Sequence, residues 1–176
     1  TAFSDRADPE EVQDVLETYF AQAAKAIFSH DGIIDKYMGD GILAFFENDG
    51  DSITSATRAA DCALAMQAQA RKLNELYRSQ NRSPFAMRVG LATGYAKVGN
   101  IGPAEKIDYT VIGSVVNLAS RLQGIGEPGD VIIDEDTYFF VKDHYLVTDL
   151  GPKDLKGFSK SIEVFSVTAR EQTTAG

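Results

Sequence analysis

Apolar residues change their spacing several times along this chain, and each change predicts a new element. Val12, Val15, Leu16, Tyr19, Phe20, Ala23 and Ile27 recur at helical spacing, so an amphipathic helix is expected to about Phe28, with one face on a sheet. Asp8-Pro9-Glu10-Glu11 supplies its start, with Asp8 as N-cap, Pro9 at the first helical position and Glu11 three residues after the cap. Ile33 and Ile34 then lead into Gly39-Asp40-Gly41, and Ile42 to Phe46 leave it as a nearly continuous apolar run. This pattern predicts two short strands joined by a tight turn. Glycines on both sides of Asp40 allow positive φ on either side and put the carboxylate at an exposed tip.

A polar loop at Asn48 to Ser52 precedes a second helix, expected from about Ile53 to Ser79. Ala56, Ala60, Ala63, Leu64, Leu73, Leu76 and Tyr77 form its apolar positions, and its alanines suit close approach to another element; Arg71, Lys72 and Arg78 form its wet face. Phe85 to Ala96 alternates as a strand, with Met87, Val89 and Leu91 on one side, and Gly99 with Gly102-Pro103 predicts a turn. Lys106 to Ile112 reads as a second strand ending at Gly113. Ser114 is expected to cap a helix running to about Gln123, where Gly124 and Gly126 stop it. Val131 to Asp134 is a short strand, and Thr137 to Val141 is an aromatic run of ambiguous type. Tyr145 to Leu150 is another strand, Leu155-Lys156-Gly157 a bend, and Ile162 to Val167 the last strand. Arg170 to Gly176 is a polar tail, leaving residues 1–169 as one domain. Helices separated by hairpins predict an α+β fold with an antiparallel-rich sheet covered on one face. A ferredoxin-like arrangement needs a strand ahead of the first helix. None stands there, so the expectation is a fragment that has lost its N-terminal strand.

The bulk numbers narrow the class. A chain of 176 residues with 44% apolar residues buries a full core without staples. Its net charge of -9 argues against nucleic-acid binding through a general basic surface, while permitting a local basic pocket. Cys62, the single cysteine, excludes an intrachain disulfide and fits a reducing compartment; among alanines it reads as a buried thiol. No apolar run approaches a membrane span, so no membrane contact is expected within these residues.

Candidate chemistry gathers in two places. Lys36 lies four residues before Asp40, a pair that in isolation is an ordinary solvated turn. Asn117 and Arg121 are one helical turn apart and share a face. The apolar strand before them ends in Gly113 and aims the helix N-terminus, which favours anions, beyond the sheet edge. Arginine adds a fixed fork of donors suited to phosphate oxygens.

Three segments give these residues a common meaning. Asp-Lys-Tyr-Met-Gly-Asp-Gly (35–41), Arg-Val-Gly-Leu-Ala-Thr-Gly (88–94) and Asp-Tyr-Thr-Val-Ile-Gly-Ser-Val-Val-Asn-Leu-Ala-Ser-Arg-Leu (108–122) resemble the catalytic domain of class III nucleotidyl cyclases. Leu155-Lys156-Gly157 is similar to the family's lysine-bearing arm, and Thr1-Ala2-Phe3-Ser4 to the segment after its first strand. The resemblance implies conversion of a nucleoside triphosphate to a 3′,5′-cyclic monophosphate and pyrophosphate, with two divalent ions, Mg2+ or Mn2+. It implies that Asp40 bridges metal, Asn117 holds the ribose, Arg121 steadies the α-phosphoryl charge and Lys156 grips the terminal phosphates. Lys106 is a looser further phosphate contact. Lys36 matches the purine-reading lysine and Thr110 the second base position of a bacterial Lys/Thr adenylyl subclass, so ATP is the expected substrate. The family's first metal aspartate would lie on a strand ahead of Thr1. The resemblance further implies a cytoplasmic homodimer with sites shared between two copies, and a regulatory domain elsewhere in a longer chain. A guanylyl cyclase, a non-catalytic nucleotide-binding or dimerising cyclase-homology module, and a dinucleotide-making relative are the rival expectations. The last wants two glycines followed by two acids, where this hairpin has Gly39-Asp40-Gly41.

Overall fold

Val131, Ile132 and Ile133 are consecutive, apolar and all buried, and they set the layering of the protein. The computed structural model describes residues 9–48, 50–103 and 108–171. In chain order its elements are α1 (Pro9–Ser29), β1 (Ile33–Met38), β2 (Gly41–Phe45), α2 (Ser52–Ser79), β3 (Val89–Leu91), β4 (Lys97–Ile101), β5 (Asp108–Ile112), α3 (Ser114–Ile125), β6 (Val131–Asp134), α4 (Glu135–Val141), β7 (Tyr145–Lys153) and β8 (Ile162–Arg170). The described strands form a four-stranded sheet in the order β3-β6-β8-β7 and two hairpins, β1-β2 and β4-β5. Only β3 and β6 run parallel; every other pair is antiparallel. The α+β, antiparallel-rich expectation therefore holds.

The expectation that helices cover one face of the sheet does not. Alternation along β6 sends Val131 and Ile133 into a cluster with Ala56, Ala60 and Ala63 of α2 and Val141 of α4. Ile132 points the other way, into a cluster with Leu122 of α3, Leu155 and Val164, against which Leu118 also packs. Three consecutive buried apolar positions in one strand are the mark of a sheet buried on both sides. The alanines of α2 do permit close approach, and Leu118 and Leu122 do anchor α3. Ala26, Ile27 and Cys62 pack with Ile34, Ile42, Ala44 and Phe46, seating the first hairpin under α1 and α2. Burial pushes the Cys62 thiol up to about 11, which leaves it inert.

Five further differences concern single elements. The strand expected over 85–96 pairs only at Val89–Leu91. The turn expected at Gly99 lies inside β4, where Gly99 faces Thr110 across the ladder; a glycine in a strand was mistaken for a break. The aromatic run at 137–141 is helical, because Asp134 caps it by accepting from the Thr137 amide at 3.1 Å. Ser114 is the first residue of α3 rather than its cap; Gly113 occupies that position with no side-chain cap bond. At the C-terminal end β8 runs past Val167 to Arg170, whose guanidinium meets Asp61 at 2.8 Å. The expected caps at Asp8, the contact at Lys106 and the tail beyond 171 lie outside the described residues. No described helix is long and apolar enough to cross a membrane.

Gly90 fixes where α3 lies. A Cβ there would stand 2.3 Å from the Ala119 carbonyl oxygen and 2.4 Å from the Gln123 nitrogen, so the helix backbone rests directly on β3. Backbone cannot step aside as a flexible side chain can. We expect Gly90→Ala to lower unfolding free energy by about 3 kcal/mol, the upper end of overpacking costs. Urea denaturation at unchanged slope is the measurement; a loss below about 0.5 kcal/mol would mean that the crossing is loose.

Candidate active site

The β1-β2 hairpin closes on a two-residue loop, with Met38 paired to Gly41. Gly39 has φ +62 and Asp40 does not share the positive sign, the arrangement a type II′ turn requires. Positive φ is thus needed before Asp40 and not after it, a correction to the symmetrical expectation for the two glycines. Asp40 is exposed at the tip and near Tyr19 of α1. Burial, with the Asp40 charge as a lesser cause, pushes the Tyr19 hydroxyl up to about 12.

A β-bulge interrupts β1. Ile34 pairs with Ala44 but Lys36 pairs with Leu43, so Asp35 is an extra residue in the strand. Cross-strand partners share a face, and Ala44 and Leu43 are on opposite faces. The extra residue therefore turns Lys36 away from the face on which Ile34 meets the helices. Asp35 and Lys36, although consecutive, both reach Thr110. Lys36 Nζ donates to Thr110 Oγ1 at 3.2 Å, and Thr110 Oγ1 donates to Asp35 Oδ2 at 3.0 Å. Lys36 Nζ also stands 3.4 Å from the same Asp35 oxygen. The Asp35 side chain is 0% exposed and the Lys36 side chain 48% exposed, so this trio has a buried end and an open end. Asp35 Oδ1 is buried with no hydrogen-bond partner among the described residues.

Asn117 and Arg121 stand exposed on α3, on a face adjoining the one anchored by Leu122. No acidic residue occupies the first turn of that helix, so its amide end carries uncompensated positive potential. Arg121 Nε donates to the Lys156 carbonyl at 3.2 Å. Leu155, packed with Leu122, pins the bend that carries Lys156 beside the helix, and Gly157 completes it with φ +96.

Of the residues singled out in the sequence, the fold joins Lys36 to Thr110, and it joins Arg121 to the main chain of Lys156 one turn from Asn117. Asp40 stands apart at the hairpin tip. Lys106 lies outside the described residues. Among the described residues no three acidic, histidine or cysteine side chains cluster to hold a metal. Asp35 was missed, although a charge following Ile33-Ile34 in an apolar strand was a readable signal. Thr93 was also passed over: its amide approaches Asp134 Oδ1 at 3.4 Å and its hydroxyl meets that of Thr137 at 2.8 Å, fixing the loop after β3. Burial, its largest cause, raises the Asp134 carboxyl above the ordinary range.

Residues 1–169 match the family model described as the adenylate and guanylate cyclase catalytic domain. Adenylate cyclase 1 of Rhizobium meliloti is 31% identical over 169 residues, covering 95% of this chain and 25% of that protein. The chain thus spans a quarter or less of the length of the curated relatives it matches. Among solved structures, the adenylyl cyclase CyaB from P. aeruginosa superposes with a TM-score of 0.90 at 32% identity, over 98% of this chain and 89% of that one. The guanylyl cyclase Cya2 gives a TM-score of 0.88 at 31% identity, over 99% and 88%.

Proposed function

Because the chain belongs to the class III nucleotidyl cyclase catalytic domains, we propose that it converts ATP to 3′,5′-cyclic AMP and pyrophosphate. The similarity to adenylyl and guanylyl cyclase structures is nearly equal, so the base must be argued from side chains. The observation that carries the adenine reading is the 3.2 Å contact between Lys36 Nζ and Thr110 Oγ1. It sets a donor beside a hydroxyl, and the edge of adenine presents an acceptor at N1 beside a donor at the 6-amino group. Guanine would turn its N1 hydrogen toward Lys36. A site with such polar partners rejects the wrong base by large factors, because mismatched groups are left unpaired.

In the reaction the ribose 3′-oxygen bonds to the α-phosphorus, the bond from that phosphorus to the bridging oxygen breaks, and pyrophosphate leaves with the electron pair. The 3′-hydroxyl gives up its proton. Asn117 orients the ribose, and Arg121 offers its guanidinium to the charge that grows on the α-phosphoryl oxygens. Lys156 and, less directly, Lys106 hold the terminal phosphates, aided by the amide end of α3. Asp40 fits a hard divalent ion such as Mg2+ or Mn2+, because such ions commonly take one or two carboxylates and complete their shell with substrate phosphates. When bound, the ions neutralise the triphosphate and lower the pKa of the attacking hydroxyl.

Two copies assemble the site. Tyr37 and Met38 on the first hairpin and Tyr109 and Ile112 on the second are all more than half exposed, and Tyr95 is wholly exposed. Large apolar groups on neighbouring hairpins suit a self-complementary, two-fold interface. Asp40 of one copy then serves the site read by Lys36, Asn117 and Arg121 of the other. The domain acts in the cytoplasm, where ATP is at hand and Cys62 stays reduced, and takes its regulation from elsewhere in the longer polypeptide.

Two outcomes are expected with the intact natural polypeptide. Arg121→Ala should lower kcat by about a hundredfold, the loss typical of one transition-state donor; a change below threefold in steady-state assays would remove Arg121 from the mechanism. Mixing Asp40→Ala with Arg121→Ala, each strongly impaired alone, should raise cyclic nucleotide production well above either parent, since one site in each mixed dimer is complete. No recovery in a heterodimer verified by native mass spectrometry would contradict sharing.

A further inference from the structure

The hydroxyl of threonine is an ambiguous reader. It carries one hydrogen and two lone pairs, so on its own it can accept from an amino group or donate to a carbonyl oxygen. A site that relied on a free threonine would discriminate weakly between adenine, with its 6-amino donor, and guanine, with its 6-oxo acceptor. In this protein the hydroxyl is not free. Its hydrogen is directed to Asp35 Oδ2 at 3.0 Å, and one lone pair takes Lys36 Nζ at 3.2 Å.

We propose that Asp35, buried in the β1 bulge, is a specificity-determining positioning residue: it fixes the Thr110 hydroxyl as an acceptor and thereby makes the base site select a 6-amino purine. With the hydrogen so held, the remaining function of Thr110 toward a ligand is a lone pair. Asp35 acts on Lys36 as well. The ammonium has three hydrogens; one goes to Thr110, one faces Asp35 Oδ2 at 3.4 Å, and the third remains for a ring acceptor. Donor and acceptor are thus both fixed in direction before any nucleotide arrives.

The fold goes out of its way to build this arrangement. A regular strand would send Asp35 and Lys36 to opposite faces, and only the bulge lets both meet one residue of β5. Burying the Asp35 carboxyl completely, with Oδ1 unpartnered among the described residues, is unfavourable for stability. A buried polar group that is poorly satisfied calls for a reason beyond packing, and orientation of Thr110 supplies one.

This inference rests on the adenine reading above, and the test separates the two. In the intact natural polypeptide, kcat/KM is measured for ATP and for GTP. Asp35→Ala frees the Thr110 hydrogen to rotate, and the ATP-to-GTP ratio should fall at least tenfold. Asp35→Asn keeps an acceptor oxygen for that hydrogen and should hold the ratio within threefold. A merely structural loss would depress both nucleotides alike and leave the ratio unmoved. If Thr110→Val abolishes the preference for ATP while Asp35→Ala changes the ratio by less than threefold, the role of Asp35 is refuted and the adenine reading stands. If neither Thr110→Val nor Lys36→Glu alters the ratio, the adenine reading fails and takes this inference with it. Should Asp35→Ala not fold, the unsubstituted protein still decides. A 6-methoxypurine riboside triphosphate offers only acceptors at N1 and the 6-position. It should be turned over no better than the purine riboside triphosphate that lacks any 6-substituent; turnover as fast as ATP would show that the hydroxyl donates.

Discussion

The meeting of Thr110 with the β1 bulge is the constraint on which the arrangement of this site depends. Among the described residues the two hairpins are separate in hydrogen-bonded sheet terms, with no ladder between them. The bonds from Thr110 to Asp35 and from Lys36 to Thr110 cross that gap between residues 75 and 74 positions apart in sequence. Contacts between elements so distant in the chain exist only once the fold around them is complete. The Lys36–Thr110–Asp35 contact is therefore a property of the assembled domain and not of either hairpin, while Asn117 and Arg121 depend on α3 and the bend at Lys156.

The second fixed relation is vertical. α3 is held to β3 backbone to backbone at Gly90 and to β6 through Leu122, so Asn117 and Arg121 are presented from a rigid element. Functional side chains on such an element are positioned more sharply than those on a loop. The hairpin tip with Asp40 has the opposite character, an exposed two-residue loop beyond the packed part of its strands. One copy thus offers a firm wall of amide and guanidinium and a projecting carboxylate. These are two unlike surfaces on one chain.

Much of this was legible before the structure. The helical stripes of α1 and α2, the hairpin around Asp40 and the strand-to-helix passage at Gly113 follow from spacing and turn chemistry. What could not be read has a common physical origin in non-local pairing. Gly99 looks like punctuation in the sequence because a glycine weakens a strand, and only the partner strand β5 overrides that weakness. The bulge is invisible in the same way: the alternation of Ile34 and Lys36 looks regular until Ala44 and Leu43 show that they face opposite sides. By contrast, α4 was within reach. Asp134 followed by Thr137 is a capping signal that the aromatic side chains of Tyr138 to Phe140 masked. The double covering of the sheet was also within reach, since Val131 to Ile133 has no polar position to spare for solvent.

The bond between Arg121 Nε and the carbonyl of Lys156 joins a side chain to main chain, and this makes two properties separable. Whatever residue stands at 156 still contributes its carbonyl oxygen, so the latch between helix and bend survives a change of side chain there. Evolution can therefore retune the charge offered at that corner without loosening the scaffold. No such freedom exists at 121, where the charge and the latch reside in a single guanidinium.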